Sequence, residues 1–362
     1  MTDSNPLVSI IMAAKDTGPY LRECLDSVLA QTYINWELIA VNDHSSDETP
    51  AILAEYAAKD ARINYADGEG FKLIPTLQTA YKLASGALIN RMDSDDRMPD
   101  YKIEVLVAEW LKYGKGNVIA GGTEHFVDDG AGEVGNGFLR YEKWLNNVAK
   151  HNLHYEEIYR ECVIPSHCWI IHRDDFGAID AFNPMIYPED YDLCFRMYAH
   201  KLNIVGIDVI LHHWRDRSNR ISRTWEEYKD NRYYNLKVKN FNTIDNDTSR
   251  ELVIWGAGKN GKDLVRLFLN SNQGSELSIR VPRQNGLYRE RPTENNLSWV
   301  CDNERKIGHD IYGIIMQSAA VIPELNNPQI IIAVSSPTDK LEIKAQLKLW
   351  GKEPRKDYWF FN

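Results

Sequence analysis

Three short apolar runs, residues 7–13, 37–41 and 87–92, each end in polar or acidic residues. A strand covered on both faces reads as such an unbroken run, because helices close both sides of a parallel sheet. Helical spacing fills the gaps. Leu21, Leu25, Val28 and Leu29 follow Thr17-Gly18-Pro19, and a second helix starts near Pro50 with Ser46 or Asp47 as its cap. A short strand at 62–65 and a helix at 74–84, punctuated by Gly86, complete a β-α-β-α-β-α-β order. That order predicts a doubly wound α/β sheet, in which ligands bind beyond the carboxyl ends of the strands. Asp43 and the acids that follow residue 92 fall at such ends, so they can face one crevice.

Those acids are the most concentrated chemistry in the chain. Residues 88–100 read Leu-Ile-Asn-Arg-Met-Asp-Ser-Asp-Asp-Arg-Met-Pro-Asp, which crowds Asp93, Asp95 and Asp96 before a helix expected to open at Pro99. A hard divalent ion, Mg²⁺ or Mn²⁺, would relieve their repulsion through oxygen ligands. An acidic helix cap accounts for the same residues without a metal.

After residue 117 the pattern changes. Residues 118–121 and 124–127 alternate around glycines, as an antiparallel hairpin would. A helix over 140–159 and a strand over 163–172 carrying His167 are expected next. Pro188-Glu189-Asp190-Tyr191-Asp192 opens a helix through His200, and its paired acids either complement the helix dipole or do chemistry. One or two strands over 203–213 lead into His212-His213-Trp214-Arg215-Asp216-Arg217, readable as a solvated loop or as a phosphate-binding one.

A polar, aromatic helix at 225–241 precedes a second α/β stretch. The strand at 251–255 turns through Gly256-Ala257-Gly258-Lys259-Asn260-Gly261 into a helix at 262–269, the setting a dinucleotide fingerprint requires. The next acid at a strand end, Asp302 after 298–301, lies much farther on than the ~20 residues usual for a ribose-binding acid. Gly256, Gly258 and Gly261 therefore serve a second nucleotide site or packing alone. Residues 270–296 read as a long loop, and strands at 311–314 and 329–334 with a helix at 339–350 close the chain.

Composition removes several classes. A net charge of −10 with no Lys/Arg run argues against nucleic acid as a partner. Five scattered cysteines without ligand spacing suit free thiols in a reducing cytoplasm. No apolar run approaches the ~18–20 residues needed to span a bilayer, so the expectation is a cytoplasmic protein that at most sits on the inner membrane face. Self-association is compatible with all of this.

Residues 8–100 resemble the donor half of family 2 glycosyltransferases, and the resemblance extends to about Ser222. It rests on Val8-Ser9-Ile10-Ile11-Met12, the run from Tyr20 to Tyr33, Trp36-Glu37-Leu38-Ile39, Val41-Asn42-Asp43-His44-Ser45-Ser46-Asp47 and Met92-Asp93-Ser94-Asp95-Asp96. Lys15-Asp16 stands where many relatives carry an aromatic–Asn pair. The resemblance implies an inverting enzyme with a GT-A doubly wound sheet over 1–224. A helical linker over 225–248 and a smaller Rossmann-like α/β domain over 249–362 would follow. It further implies that Ala13, Asp43, Asp93, Arg215 and Arg217 meet a nucleotide-sugar donor. Asp93 and Asp95 would hold Mg²⁺ or Mn²⁺, Asp190 would be the general base, and His167 and Glu189 would line the side of a saccharide or lipid-linked acceptor. The segment from Leu252 resembles small domains attached to enzymes of bacterial surface-polysaccharide pathways, which suggests assembly or docking. Rival readings are a nucleotidyltransferase that makes sugar nucleotides, an NAD-dependent sugar oxidoreductase, and a noncatalytic sugar-nucleotide sensor. The first would need a Gly-rich basic loop after the first strand, which 13–19 lacks; the second would need a better-placed ribose acid.

Overall fold

The computed structural model describes residues 4–128, 132–183, 185–217, 232–271 and 297–362. The chain forms two compact units, one from 1–155 and 162–229, the other from 156–161 and 230–362.

In the first unit the predicted alternation is present: β1 (Val8–Ala14), α1 (Gly18–Leu29), β2 (Trp36–Asn42), α2 (Thr49–Lys59), β3 (Ile63–Asp67), α3 (Leu73–Leu83), β4 (Leu88–Asp93) and α4 (Lys102–Tyr113). Then come β5 (Asn117–Phe126), α5 (Asn136–His151), β6 (Trp169–His172), α6 (Arg173–Ala178), α7 (Glu189–Ala199) and β7 (Asn203–Arg215). The seven strands lie in the order β3-β2-β1-β4-β6-β5-β7, with β6 antiparallel to its neighbours β4 and β5.

Strand alternation sorts the side chains by face. Val8, Ile10, Met12 and Ala14 join Leu38, Ala40, Leu88 and Met92 in one core with the apolar stripes of α1, α2 and α4. Full burial of each large aliphatic there contributes roughly 1.5–3 kcal/mol. The other face carries Ala13, Arg91 and Asp93, with Ile11 opposite Arg91 and Ala13 opposite Asp93. Gly86 is required for sterics: a Cβ there would lie 2.6 Å from the Leu7 carbonyl oxygen. Asp47 does not cap α2 in the usual way; its carboxylate accepts from Thr49 N and Gly18 N, both at 2.9 Å, tying the α1 and α2 starts together.

Several boundaries differ from expectation. The hairpin expected at 118–127 is a single strand, β5, antiparallel to β6 and parallel to β7. Gly121 and Gly122 make a register irregularity there rather than a turn, and a Cβ on Gly121 would sit 2.4 Å from Leu211 Cδ1. Helix α5 stops at His151 because Asn152 takes a left-handed φ of 55°. Helix α4 begins at Lys102, not at Pro99, and β6 is shorter than the strand expected over 163–172.

The second unit holds α8 (Arg232–Ile244), β8 (Leu252–Trp255), α9 (Lys259–Ser271), β9 (Leu297–Cys301), β10 (Asp310–Ile311), β11 (Ile314–Ile315), β12 (Gln317–Ser318), β13 (Gln329–Ile332), α10 (Pro337–Leu349) and β14 (Tyr358–Phe360). Helix α8, expected as a linker, is grouped with this unit. Its sheet is wholly parallel, in the order β12-β9-β8-β13-β14, while β10 and β11 pair as a separate hairpin. Phe241 of α8 sits among Tyr159, Phe268, Trp359 and Phe361. All five cysteines are buried thiols outside any disulfide, four in the first unit and Cys301 in the second. Residues 218–231 and 272–296 lie outside the described residues, and with them most of the expected 270–296 loop, the start of the expected 225–241 helix and the loop reaching Ser222.

Candidate active site

Strand β4 delivers the site. Arg91 and Asp93 share a face and point away from the large core, and Arg91 is only 5% exposed. A buried guanidinium must be paired. Its Nε donates to Asp93 Oδ1 and its Nη1 to Glu189 Oε1, both at 2.9 Å. One cation thus joins the acidic turn after β4 to the first residue of α7. Against the penalty of burial, Arg91 and then His167 hold the Asp93 carboxyl well below the usual carboxylate range. Arg91, Ser166, Glu189 and Asp190 line one cavity with Trp169 and Phe182. Asp190 Oδ1 accepts from the Tyr191 N–H at 2.8 Å, so it also serves the helix start.

The acidic turn divides its labour. Asp95 Oδ2 accepts from Arg217 Nε at 2.7 Å. Asp96 faces inward at 1% exposed, accepting from Arg215 N at 2.8 Å and lying 3.0 Å from His212 Nε2. The rings of His167 and His212 stack with centroids 3.4 Å apart. Asp96, His167 and His212 bring ligand atoms within 4.8 Å of one another, a buried group able to hold a metal ion. Burial pushes the His167 imidazole down to about 4, the neutral form a ligand needs.

Asp43 follows β2, where Ala14 pairs with Asn42, so its strand end is level with that of β4. Its carboxylate accepts from Lys72 N at 3.0 Å, and burial raises its pKa above the ordinary value. Lys15 Nζ, from the Lys15-Asp16 departure, donates to the carbonyls of Asp43 and His44 at 2.8 and 2.6 Å. The imidazole of His44 stacks on exposed Phe71 with centroids 4.2 Å apart.

Two placements differ from expectation. Arg215 is 1% exposed and its fork is already used: Nε donates to the Asp95 carbonyl at 2.7 Å, and the Nη groups meet Asp128 and Glu23. It builds the site's wall rather than presenting a cation to a phosphate. His167 is fully buried beside Asp93 rather than on an open acceptor side. Arg91 was missed, although the signal was present: an arginine inside a strand buried on both faces requires carboxylate partners.

In the second unit the outer glycines answer to packing. A Cβ on Gly261 would lie 1.9 Å from the Gly256 carbonyl oxygen, and Gly256 takes a φ of +134° against the Ala333 backbone. Gly258 faces open space. Asp302, distant in sequence, ends the strand adjacent to β8, where its carboxylate accepts from Trp255 Nε1 at 2.8 Å.

No described helix is long and apolar enough to cross a membrane. Residues 9–179 match the family described as Glycosyl transferase family 2. Glycosyltransferase GlyA of Streptococcus pneumoniae is 27% identical over 230 residues, 61% of this chain but 32% of that one. An uncharacterized glycosyltransferase of Rickettsia prowazekii is 29% identical over 232 residues, 62% of this chain and 70% of its own. The Escherichia coli enzyme named UDP-Glc:alpha-D-GlcNAc-diphosphoundecaprenol beta-1,3-glucosyltransferase is 39% identical over 107 residues, 29% of this chain and 42% of that one. The chain spans about a third of the length of the first of these relatives. Staphylococcus aureus TarS 1-349, solved with UDP-GlcNAc, has the same fold with a TM-score of 0.51 at 18% identity, over 74% of this chain and 73% of that one. The acidic turn, its arginine bridge and a GT-A sheet are thus in place, and residues 9–179 carry the likeness to glycosyl transferase family 2.

Proposed function

We propose that the chain transfers a sugar from a nucleoside-diphosphate sugar to a hydroxyl of a saccharide or lipid-linked acceptor, with inversion, in bacterial surface-polysaccharide synthesis. The observation that carries this reading is the Arg91 bridge, which ties Asp93 to Glu189, the neighbour of Asp190 in the cavity that Arg91, Glu189 and Asp190 line. The acceptor oxygen attacks the anomeric carbon as the bond to the diphosphate oxygen breaks, and Asp190 takes the hydroxyl proton. A carboxylate is too weak a base to ionise a free hydroxyl first, so the proton moves as the new bond forms. Glu189, held by Arg91, positions Asp190 and the acceptor rather than accepting the proton. Asp43 reads the base, and Ala13, without a bulky side chain, leaves room beside Asp93.

Asp93 and Asp95 would hold Mg²⁺ or Mn²⁺, which neutralises charge on the departing diphosphate. The donor set fits: both are carboxylates, and Asp93 is kept ionised. Arg217, against Asp95, adds a positive charge at the same place. UDP-Glc in the name of the Escherichia coli relative and UDP-GlcNAc in the TarS structure make UDP-sugars the first probes. Residues 1–224 carry this chemistry, the unit that includes α8 serves assembly or docking as a Rossmann-like accessory domain, and the protein works at the cytoplasmic face of a membrane.

Asp190→Asn tests the reading. Turnover should fall by a factor on the order of 10²–10⁴, while calorimetry shows donor affinity nearly unchanged. Normal turnover would reduce Asp190 to a helix cap. In the same titrations a chelator should weaken diphosphate binding, and equal affinity with and without Mn²⁺ would remove the metal from the mechanism.

A further inference from the structure

The second unit has a crevice of its own. Strand β8 is central, the chain passes through α9 to β9 on one side, and β13 lies on the other. The boundary between β8 and β13 is therefore a topological switch point, where parallel sheets open a crevice beyond their strand ends. Asn260 and Ser335, from the two loops that flank it, are joined by a 3.0 Å hydrogen bond.

The cavity there is lined by four cations: Arg160, Lys237, Lys259 and Lys340, with Tyr234 and Asn362 beside them. Lys237 is 4% exposed and donates to the carbonyls of Arg160 and Phe361 at 2.7 and 3.3 Å. Lys340 donates to the Asn362 carbonyl at 2.6 Å. Tyr234 donates to Asn362 Oδ1 at 2.6 Å, and Asn362 Nδ2 is buried with no hydrogen-bond partner among the described residues. The carboxylates in the same lining are Glu161 and Asp263, the latter 3.5 Å from Arg266. Lys259 also borders a second hollow, with Lys262, Arg266 and Lys306. Lys237 and Lys340 tie backbone carbonyls and Arg160 pairs with Glu157, yet in a chain whose net charge is −10 gathering these cations at one strand end still costs mutual repulsion. Burial and the Arg160 charge bring Lys340 down to about 8, a cost that a bound anion would remove.

We propose that this crevice binds a phosphate-bearing small molecule, with the phosphate between Lys259, Lys237 and Lys340 and the rest of the ligand along Tyr234. A dinucleotide running along the glycine turn suits the geometry less well. The Gly256 carbonyl is occupied by the Trp299 indole at 2.8 Å, the Ala257 carbonyl by Lys306 at 2.7 Å, and Asp302 by Trp255. The site is separate from the donor site and does not depend on the reading of the first unit.

The test is calorimetric titration of the full chain with inorganic pyrophosphate in chelator, repeated with a nucleoside monophosphate. Lys259 is exposed, so Lys259→Gln leaves packing intact, and Lys340→Gln is the second variant. Each should weaken pyrophosphate binding by about tenfold or more, the loss of one charge-assisted contact. Asp93→Ala with Asp95→Ala should leave that binding unchanged. Binding that survives Lys259→Gln and disappears with the two aspartates belongs to the donor site and overturns the proposal. No saturable binding, or binding indifferent to Lys259→Gln, overturns it as well. Saturable nucleoside monophosphate binding that also needs Lys259 extends the ligand beyond its phosphate.

Discussion

Each unit ends its central parallel strands in a tight turn beside a crevice, yet the two crevices are opposite in charge. The first unit gathers Asp43, Asp93, Asp95 and Asp190, and balances them with buried or half-buried arginines. The second gathers lysines and an arginine around two carboxylates. A parallel α/β sheet supplies a place to bind, and the side chains at the strand ends decide what is bound. In the first unit these charges form fixed bridges, as suits a site that must hold a reacting geometry. In the second they are satisfied mainly by backbone carbonyls, which suits reversible capture of an anion.

Arg91→Met should break the comparison most severely. It leaves buried Glu189 and half-buried Asp93 without their shared partner, a loss of about 3–5 kcal/mol for a buried pair broken from one side. Denaturant titration of the full chain should show it. A stability change under 1 kcal/mol would mean that water, not Arg91, supports both acids.

A smaller effect comes from His154, which is 2% exposed with neither ring nitrogen hydrogen-bonded among the described residues. Burial pushes it down to about 4 from an ordinary value of 6.5. Because the folded pKa is depressed, its full contribution is present above pH 6.5 and is lost as pH falls toward 4. The unfolded chain takes up the proton that the folded one refuses. The loss amounts to about 3 kcal/mol, and His154→Leu should flatten that part of the stability-against-pH curve. An unchanged slope would place a proton acceptor beside the ring.

Gly261→Ala is the mildest. Its Cβ would collide with the Gly256 carbonyl, and overpacking of that kind costs about 1–3 kcal/mol. Sugar transfer should be unaffected if the glycine turn is structural. A selective loss of pyrophosphate binding without loss of stability would assign the turn to the ligand.

Much of this could be read from the residues. β1 was legible because a continuous apolar run has few places to go, and the acidic turn was legible because folding does not gather like charges. β5 was not, because Gly121-Gly122 reads as a turn when only sequence is seen, whereas Leu211 fills the space beside Gly121 and Asn146 that beside Gly122. Asp96 read as one of three crowded acids, and spacing alone does not show that the turn directs it inward toward His212 and the Arg215 backbone. Asp302 read as too distant to matter, since sequence spacing does not show that β9 pairs directly with β8. Distances along a chain bound its reach, while strand pairing determines its neighbours.

The five buried thiols give the molecule an internal clock. A thiol-reactive dye cannot reach Cys24, Cys162, Cys168, Cys194 or Cys301 in the closed protein, so labelling proceeds only as fast as a segment opens. Cys301 belongs to one unit and the other four to its companion. Mass spectrometry of the tagged peptides would therefore time the two halves separately, in a single sample and without any substitution.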